Sequence, residues 1–211
     1  MATATRPKGA TSYKETAFGT ISRSRLLRLE VEGTKKGLEY LLRLIGKSKS
    51  VVISPQFICR LHGVAFGWIF PTWAGKYRKV QVTFSGKEAV SYHQLPELVV
   101  NLCLDLRERI KRLPKPEEDV FIVEVVKLLA WFQHKFVLIH PFLDYNGRIA
   151  RMLTILILLK LNLPPMELKA DTKTDRKRYI KALQDADAGN LITLESLISQ
   201  ALREALDKFR G

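Results

Sequence analysis

Residues 140–151 read HPFLDYNGRIAR and lie between two long apolar stretches, one ending at Ile139 and one running from Ile149 to Leu163. The segment contains an imidazole, a carboxylate, an amide and two guanidinium groups. Polar groups held against a protein core need hydrogen-bonding partners or a chemical role. We therefore expect two buried helices and, between them, a functional loop.

Helical spacing of apolar residues extends over most of the chain and predicts a mainly α protein. Residues 117–139 and 146–161 are apolar almost all round, which predicts a buried central helix pair. The other expected helices are 22–44, divided in two by a tight junction at Gly33, one that starts at Pro55, and 96–112, 176–187 and 194–209. A short polar loop is expected at 46–50.

One stretch has the alternation of a β-strand. Val80, Val82 and Phe84 alternate with polar residues ahead of the Ser85-Gly86 turn signal, so residues 79–92 are predicted to form a short β-hairpin. The expected organisation is a loose segment at 1–19, N-terminal helices at 20–50 and a core at 51–211.

The composition fits one domain with an ample core, since 46% of the 211 residues are apolar. The net charge of +14 favours anionic partners such as nucleic acids, acidic protein faces, membranes or phosphorylated ligands. The basic residues are dispersed, as on solvated helix faces. A clustered basic recognition helix and exposed aromatic platforms are both lacking, which argues against nucleic-acid binding.

Cys59 and Cys103 lie in apolar contexts without metal-site spacing, which favours free thiols in a reducing compartment. The first sixteen residues lack the apolar core of a signal peptide, and Arg151 and Lys160 interrupt the most apolar stretch, which is shorter than the roughly 20 residues of a membrane span. We expect no membrane span and a cytoplasmic location, with signal-independent secretion left open.

The loop suits an anionic ligand. If Asn146, Gly147 and Arg148 begin a helix, their N–H groups point outwards at the positive end of its dipole. Arg148 and Arg151 are three residues apart, so both guanidinium groups project from one side of the first turn and can bind phosphate oxygens.

Two further side chains add reactive chemistry. Asp144 offers a hard oxygen to Mg²⁺, and His140 can take a proton from a hydroxyl near neutral pH. Together with the anion site they indicate nucleotidyl or phosphoryl transfer. Each residue also has a structural alternative: Asp144 as a helix cap, Asn146 in a turn, His140 as a core histidine, and Arg151 as the partner of Asp144.

The loop resembles the signature of the Fic family, H-x-F-x-(D/E)-G-N-G-R-x-x-R. The matching positions are His140, Phe142, Asp144, Asn146, Gly147, Arg148 and Arg151. The segments RLHGVAFGWIFPTWAGKYRKV and RKRYIKALQDADAGNLITLESLI also look like parts of this family, so that the resemblance covers about residues 55–205. It implies a Fic-type helical bundle with one β-hairpin flap.

The resemblance implies a protein adenylyltransferase that moves AMP from ATP, with Mg²⁺, to a Ser, Thr or Tyr hydroxyl of a target protein. The implied roles are a base (His140), a Mg²⁺ ligand (Asp144), a core anchor (Phe142), phosphate contacts (Asn146, Gly147, Arg148), a γ-phosphate contact (Arg151), adenine contacts (Tyr179, Asn190) and a flap that docks the target by strand addition (Val80, Gln81, Val82, Thr83). Exposed strand edges have unpaired backbone groups that suit such docking.

Three positions qualify the resemblance. Tyr145 stands where the family has glycine or alanine, and it could narrow the pocket, stack on the nucleotide or point outwards. Gly147 favours AMP transfer over phosphorylation, since the phosphorylating subfamily has lysine there. Glu32-Gly33 partly matches the family's inhibitory (S/T)-x-x-x-E-(G/N) helix but has Arg28 at its first position. Glu32 is therefore either an inhibitory partner of Arg151 or an exposed charge at a helix end.

The sequence is compatible with three classes of function. The first is the adenylyltransferase, with removal of AMP by the same site as an enzymatic variant. The second is a nucleotide-binding module whose catalysis is weak or absent because of Tyr145. The third is a basic nucleic-acid-binding protein. Self-association is also left open.

Overall fold

This computed structural model describes residues 15–48, 51–170 and 172–210. These residues form seven α-helices, one short 3-10 helix and one small β-hairpin. The chain divides into two compact units, one ending at Arg78 and the other beginning at Lys79. The elements are α1 (Arg23–Lys47), α2 (Pro55–Phe66), β1 (Thr83–Phe84), β2 (Lys87–Glu88), a short 3-10 helix (Tyr92–Gln94), α3 (Leu95–Lys111), α4 (Phe121–Ile139), α5 (Asn146–Lys160), α6 (Lys173–Asp187) and α7 (Ile192–Arg210).

The second unit is organised around α4, which contacts α3, α5, α6 and α7. Large side chains on both members of the central pair are fully buried, among them Phe132 and Phe136 on α4 and Leu153 on α5. Each such side chain contributes about 1.5–3 kcal/mol of hydrophobic stabilisation. The predicted mainly α fold with a buried central helix pair is confirmed.

The hairpin is present but shorter than predicted. Thr83 pairs with Glu88 and Phe84 with Lys87 in antiparallel register. Ser85 and Gly86 between the strands both have positive φ, 49° and 81°, as a two-residue hairpin turn requires. The predicted range of 79–92 is too long, because the 3-10 helix has already begun at Tyr92.

The predicted junction at Gly33 is wrong, because α1 runs through it without a break. Gly33 is buried, and a Cβ placed on it would lie 2.5 Å from the carbonyl oxygen of Ala65 on α2. Glycine is needed here for the close approach of two helix backbones. A glycine of this kind cannot be told from a helix break by local pattern alone.

Smaller corrections concern the ends of elements. The predicted 117–139 helix starts later, at Phe121, after a turn in which Lys115 N–H bonds to the Glu118 carboxylate. Conversely, α6 starts earlier than predicted because the Thr172 hydroxyl caps it by accepting from Asp175 N–H at 3.1 Å. Helix α7 likewise begins two residues early, at Ile192, and α3 is shifted by one residue at each end.

The N-terminal predictions hold only in part. Thr16 and Gly19 form a β-bridge, and Ala17 N–H donates to Ile69 at 2.8 Å, so the predicted loose segment is wrong for these residues. Residues 1–14 lie outside the described residues. Helix α1 continues to Lys47, which shortens the predicted polar loop, and residues 49 and 50 of that loop also lie outside the described part.

Both cysteines are free thiols, Cys103 buried and Cys59 half-buried. Burial raises the pKa of the Cys59 thiol. A hydrogen bond with Tyr77 lowers it, but this effect is smaller than that of burial. None of the helices in the described ranges combines the length and apolar content that crossing a bilayer requires.

Replacing Gly33 with alanine should destabilise the first unit, because the added methyl group would clash with the backbone carbonyl of Ala65, which cannot move away as a flexible side chain could. We expect a loss of roughly 1–3 kcal/mol, the usual cost of overpacking. Thermal and urea unfolding would measure it. Gly46→Ala is the matched control: it lies on the same helix with nothing within 4 Å of the added Cβ, so it should be neutral or slightly stabilising. Equal effects at the two positions would contradict this account of α1.

Candidate functional site

His140 ends α4 and begins the loop. Its backbone is left-handed, with φ 51° and ψ 57°, and its N–H donates to the Phe136 carbonyl at 3.1 Å. The ring Nδ1 lies 3.2 Å from the Val137 carbonyl oxygen. Since a carbonyl can only accept, the ring proton sits on Nδ1. In the neutral imidazole the lone pair is then on Nε2, which is the ring atom able to take up a proton.

Asn146 holds the loop in shape. Its side chain is 1% exposed, its Oδ1 accepts from Phe142 N–H at 2.9 Å, and its Nδ2 donates to the Phe142 carbonyl at 2.8 Å. The Phe142 ring is fully buried. The Asn146 side chain thus binds the loop's own backbone, so any contact with an anion at this position falls to the backbone N–H.

Tyr145 is the last residue before α5 and is left-handed, with φ 63° and ψ 13°. Glycine adopts such a φ without steric cost, whereas tyrosine is strained by it. The ring is 7% exposed, which excludes the outward orientation, and the Arg148 guanidinium carbon lies 5.4 Å from its centroid. The backbone here follows the path that glycine would favour, and the ring packs against Arg148.

The amino-terminal end of α5 carries the predicted basic residues. The side chain of Tyr145, the N-cap residue, makes no hydrogen bond to the first turn. A Cβ placed on Gly147 would lie 3.6 Å from Nη1 of Arg151, so this guanidinium lies beside the first turn. Two half-buried guanidinium groups, those of Arg148 and Arg151, at the positive end of a helix dipole favour a polyanionic ligand.

Asp144 is the carboxylate of the loop. It is half-buried, and its Oδ1 accepts from Tyr145 N–H at 2.6 Å. Within the described ranges no three His, Cys, Asp or Glu side chains form a group that could hold a metal ion. Mg²⁺ is commonly held by one or two carboxylates together with phosphates and water. Asp144 has the chemistry to be a single protein ligand of this kind.

The hairpin reaches the candidate base through an aromatic side chain. The Phe84 ring stacks on the His140 imidazole with centroids 4.1 Å apart and planes 13° apart. Of the residues predicted to dock a target, only Thr83 lies in a strand, while Val82 accepts a backbone bond from Ala89 at 3.0 Å. In this conformation the hairpin covers one face of the His140 ring.

Three side chains form a clasp that ties the hairpin to α6 and α4, namely Lys87, Asp187 and His134. Lys87 on β2 pairs with Asp187 at the end of α6, and Asp187 accepts from His134 Nε2 at 3.0 Å. Burial raises the pKa of Asp187, but hydrogen bonds from Lys87 and His134 outweigh burial and leave that pKa below its usual value. Asp187 therefore stays ionised at neutral pH.

The sequence pattern identified neither Phe84 as a partner of His140 nor any of the three residues of the clasp. Lys87 and Asp187 are 100 residues apart, and His134 and Asp187 are 53 apart, so no local pattern joins them. One signal was available: His134 lies inside an apolar run, and a polar side chain buried there needs a partner.

The remaining predicted residues lie in three different places. Tyr179 on α6 is 5% exposed and lies under Arg151, whose guanidinium carbon is 5.8 Å from the ring centroid. Asn190 is exposed, and its Oδ1 accepts from Ile192 N–H at the start of α7. Glu32 belongs to the first unit, where it is exposed on α1 and pairs with Lys36 at 3.1 Å.

These features define a class of site in which a histidine with its lone pair on Nε2 shares one loop with a basic helix N-terminus. Comparison with known proteins identifies the family. The sequence model of the Fic/DOC family matches residues 52–158, half of the chain. The protein belongs to the Fic/DOC family.

Individual proteins that resemble this chain support the same family assignment. A protein named protein adenylyltransferase Fic from Nematostella vectensis is 30% identical over 92% of this chain and 43% of its own length. The solved structure of Fic-1 from Caenorhabditis elegans has a TM-score of 0.65 at 27% identity, over 86% of this chain and 50% of that one. A Fic domain containing signaling protein from Bacteroides thetaiotaomicron shares the fold, with a TM-score of 0.68 at 21% identity over 84% of this chain and 69% of that one. The chain thus spans less than half the length of the Nematostella relative.

Truncating Phe84 should expose the His140 ring. In Phe84→Ala we expect diethyl pyrocarbonate to modify His140 severalfold faster, because one face of the imidazole loses its cover. The rate would be measured by peptide mass spectrometry relative to the exposed His93. Val80→Ala, which shortens an exposed side chain beside the same hairpin, should leave the ratio unchanged. An unchanged ratio in Phe84→Ala would rule out the stacking as a barrier to access.

Proposed function

We propose that this protein is a protein adenylyltransferase that transfers AMP from ATP to a hydroxyl group on a target protein. The observation that carries the proposal is the loop itself: the Nε2 lone pair of His140 and the two arginines of α5 belong to one short segment whose shape is fixed by Asn146. The family relationship supports it, since relatives at 25–30% identity are named protein adenylyltransferases.

The chemistry assigns each group one task. The target hydroxyl gives its proton to Nε2 of His140 while its oxygen forms a bond to the α-phosphorus of ATP. The bond from that phosphorus to the oxygen bridging the β-phosphate breaks, and pyrophosphate leaves with the electron pair. The first-turn amides of α5 with Arg148 and Arg151 stabilise the negative charge that develops on the phosphates.

The metal site would be formed by Asp144. Mg²⁺ bound there would neutralise phosphate charge and orient the leaving group. Asp144 sits between the base and the basic helix end in sequence, and its Oδ1 is oriented by Tyr145 N–H. The chain's own contribution is to hold this carboxylate in the loop directly ahead of the first turn of α5.

A second candidate is a nucleotide-binding module with little or no catalysis. It is favoured by the buried Tyr145 ring, which has the Arg148 guanidinium packed over it. An arginine engaged in this way stabilises phosphate less than one that points at the ligand. The two candidates differ in turnover, and both bind ATP.

The first experiment is to incubate the full chain with Mg²⁺ and ATP labelled on the α-phosphate, alone and with a cell lysate. We expect label on protein, and a loss of roughly 10²–10⁴-fold in His140→Ala, the usual contribution of a general base. His93→Ala, which removes an exposed imidazole of the same unit, is the matched control and should label normally.

Tyr145→Gly separates the two candidates. Labelling by the natural chain shows that tyrosine is tolerated in the loop. Labelling by Tyr145→Gly alone means that the natural chain is blocked there. ATP binding without labelling by any variant would replace the adenylyltransferase with the non-catalytic module.

We also propose that Glu32 restrains the reaction by pairing with Arg151 and holding ATP in an unproductive pose. This proposal is based on the partial match of Glu32-Gly33 to the family's inhibitory helix. The alternative is that Glu32 is an ordinary exposed charge, and its ion pair with Lys36 within α1 favours this alternative. The two differ in whether activity changes when the carboxylate is removed.

In Glu32→Gln we expect faster labelling of the protein by itself, because the substitution removes the charge that would compete with the γ-phosphate for Arg151. Self-labelling with α-labelled ATP measures it. Glu39→Gln is the matched control, since Glu39 is also exposed on α1 and also pairs with a lysine one turn away, Lys35. Equal rates in the two variants would reduce Glu32 to a surface charge.

A further inference from the structure

A chain of polar side chains crosses the core of the second unit. Gln133 on α4, Thr154 on α5 and Tyr179 on α6 are 0%, 1% and 5% exposed. Uncharged polar groups at such depth are stabilising only when they are hydrogen-bonded, and apolar residues of similar size would fill the space at no such cost. Their presence in the most apolar region of the protein calls for a role other than filling the core.

The hydrogen bonds of this network run in one direction. The Tyr179 hydroxyl donates to Gln133 Oε1 at 2.8 Å, Gln133 Nε2 donates to Thr154 Oγ1 at 2.5 Å, and Thr154 Oγ1 donates to the Ala150 carbonyl at 3.0 Å. Each donor finds an acceptor, and the last acceptor is helix backbone. A network satisfied in this way fixes the rotamer of each member.

Arg151 lies at the end of this network. Its guanidinium carbon is 5.8 Å from the Tyr179 ring centroid, within the range of a cation–π contact. Burial raises the pKa of Tyr179 to about 12, although the positive charge of Arg151 and a hydrogen bond from it act in the opposite direction. Tyr179 is therefore a neutral phenol at physiological pH, a rigid surface beneath the guanidinium rather than a counter-ion that would neutralise it.

The same guanidinium reaches the anion site. Its Nη1 lies 3.6 Å from the position of a Cβ on Gly147, in the first turn of α5. Arg151 also precedes Thr154 by three residues, so both project from one side of α5. The network below and the first turn above thus define the position of one long side chain that would otherwise sample many rotamers.

We propose that Gln133 and Tyr179 are positioning residues that hold the Arg151 guanidinium towards the outer phosphate of a bound nucleoside triphosphate. This inference rests on the proposed function for the identity of the ligand. It gives Tyr179 a role different from the adenine contact that the family resemblance implies. Preorganising an arginine in this way lowers the entropy lost on binding phosphate.

The test compares two nucleotides that differ only in the outer phosphates. Calorimetry with Mg²⁺ would give Kd for ATP and for AMP in the natural chain and in Tyr179→Phe, which keeps the ring and removes only the hydroxyl. We expect roughly tenfold weaker ATP binding and unchanged AMP binding, a difference of about 1.4 kcal/mol. Gln133→Met, similar in volume, should give the same pattern. Tyr40→Phe, a half-buried tyrosine of the first unit, should change neither Kd.

A second measurement needs no nucleotide. In the free protein the Arg151 Nε–H signal, assigned by its loss in Arg151→Lys, should exchange slowly with water and should exchange faster in Tyr179→Phe. Unchanged exchange, or equal weakening of ATP and AMP binding, would overturn the positioning role. ATP binding with the expected pattern but without AMP transfer would instead overturn the proposed function and leave the positioning role in place.

Discussion

The site depends on how a polar loop is held between two buried helices. Residues that connect α4 and α5 cannot rely on water for all of their backbone groups, and the Asn146 side chain supplies both a donor and an acceptor to Phe142. Without that pair, a buried N–H and a buried carbonyl would each lose a partner, at roughly 1–3 kcal/mol apiece. Satisfying the loop internally is what allows reactive groups to stand beside an apolar core.

The same constraint explains the backbone conformations at the two ends of the loop. His140 and Tyr145 both have positive φ, which costs a non-glycine residue on the order of 1–2 kcal/mol. The first of these conformations terminates α4 and turns the imidazole towards the Val137 carbonyl. The second turns the chain into α5 so that its first-turn N–H groups point outwards. Strain at both ends is balanced by the buried Phe142 ring and by the hydrogen bonds of the Asn146 side chain, and the two conformations together set the positions of His140 and of the amino-terminal end of α5.

The sequence predicts the features that arise from contiguous residues. The all-round apolar composition of α4 and α5 identifies the central pair, and the Ser85-Gly86 turn identifies the hairpin. The failures arise where residues distant in sequence meet. Gly33 looks like a helix break because its neighbour, the Ala65 carbonyl, is thirty-two residues away, and the stacking of Phe84 on His140 has no local signature. A helix-period pattern reports which face is buried and does not report what lies against it.

The interior of α4 contains two polar residues that make different connections. Gln133 and His134 are neighbours in a strongly apolar helix, and consecutive residues on a helix point in directions about 100° apart. Gln133 accordingly joins α5 and α6 beneath Arg151, while His134 joins the Asp187 clasp of the hairpin. One helix thereby connects Arg151, through Tyr179, with the hairpin whose Phe84 stacks on His140. Both connections originate from adjacent residues, so the network beneath Arg151 and the clasp of the hairpin are attached to the same turn of α4.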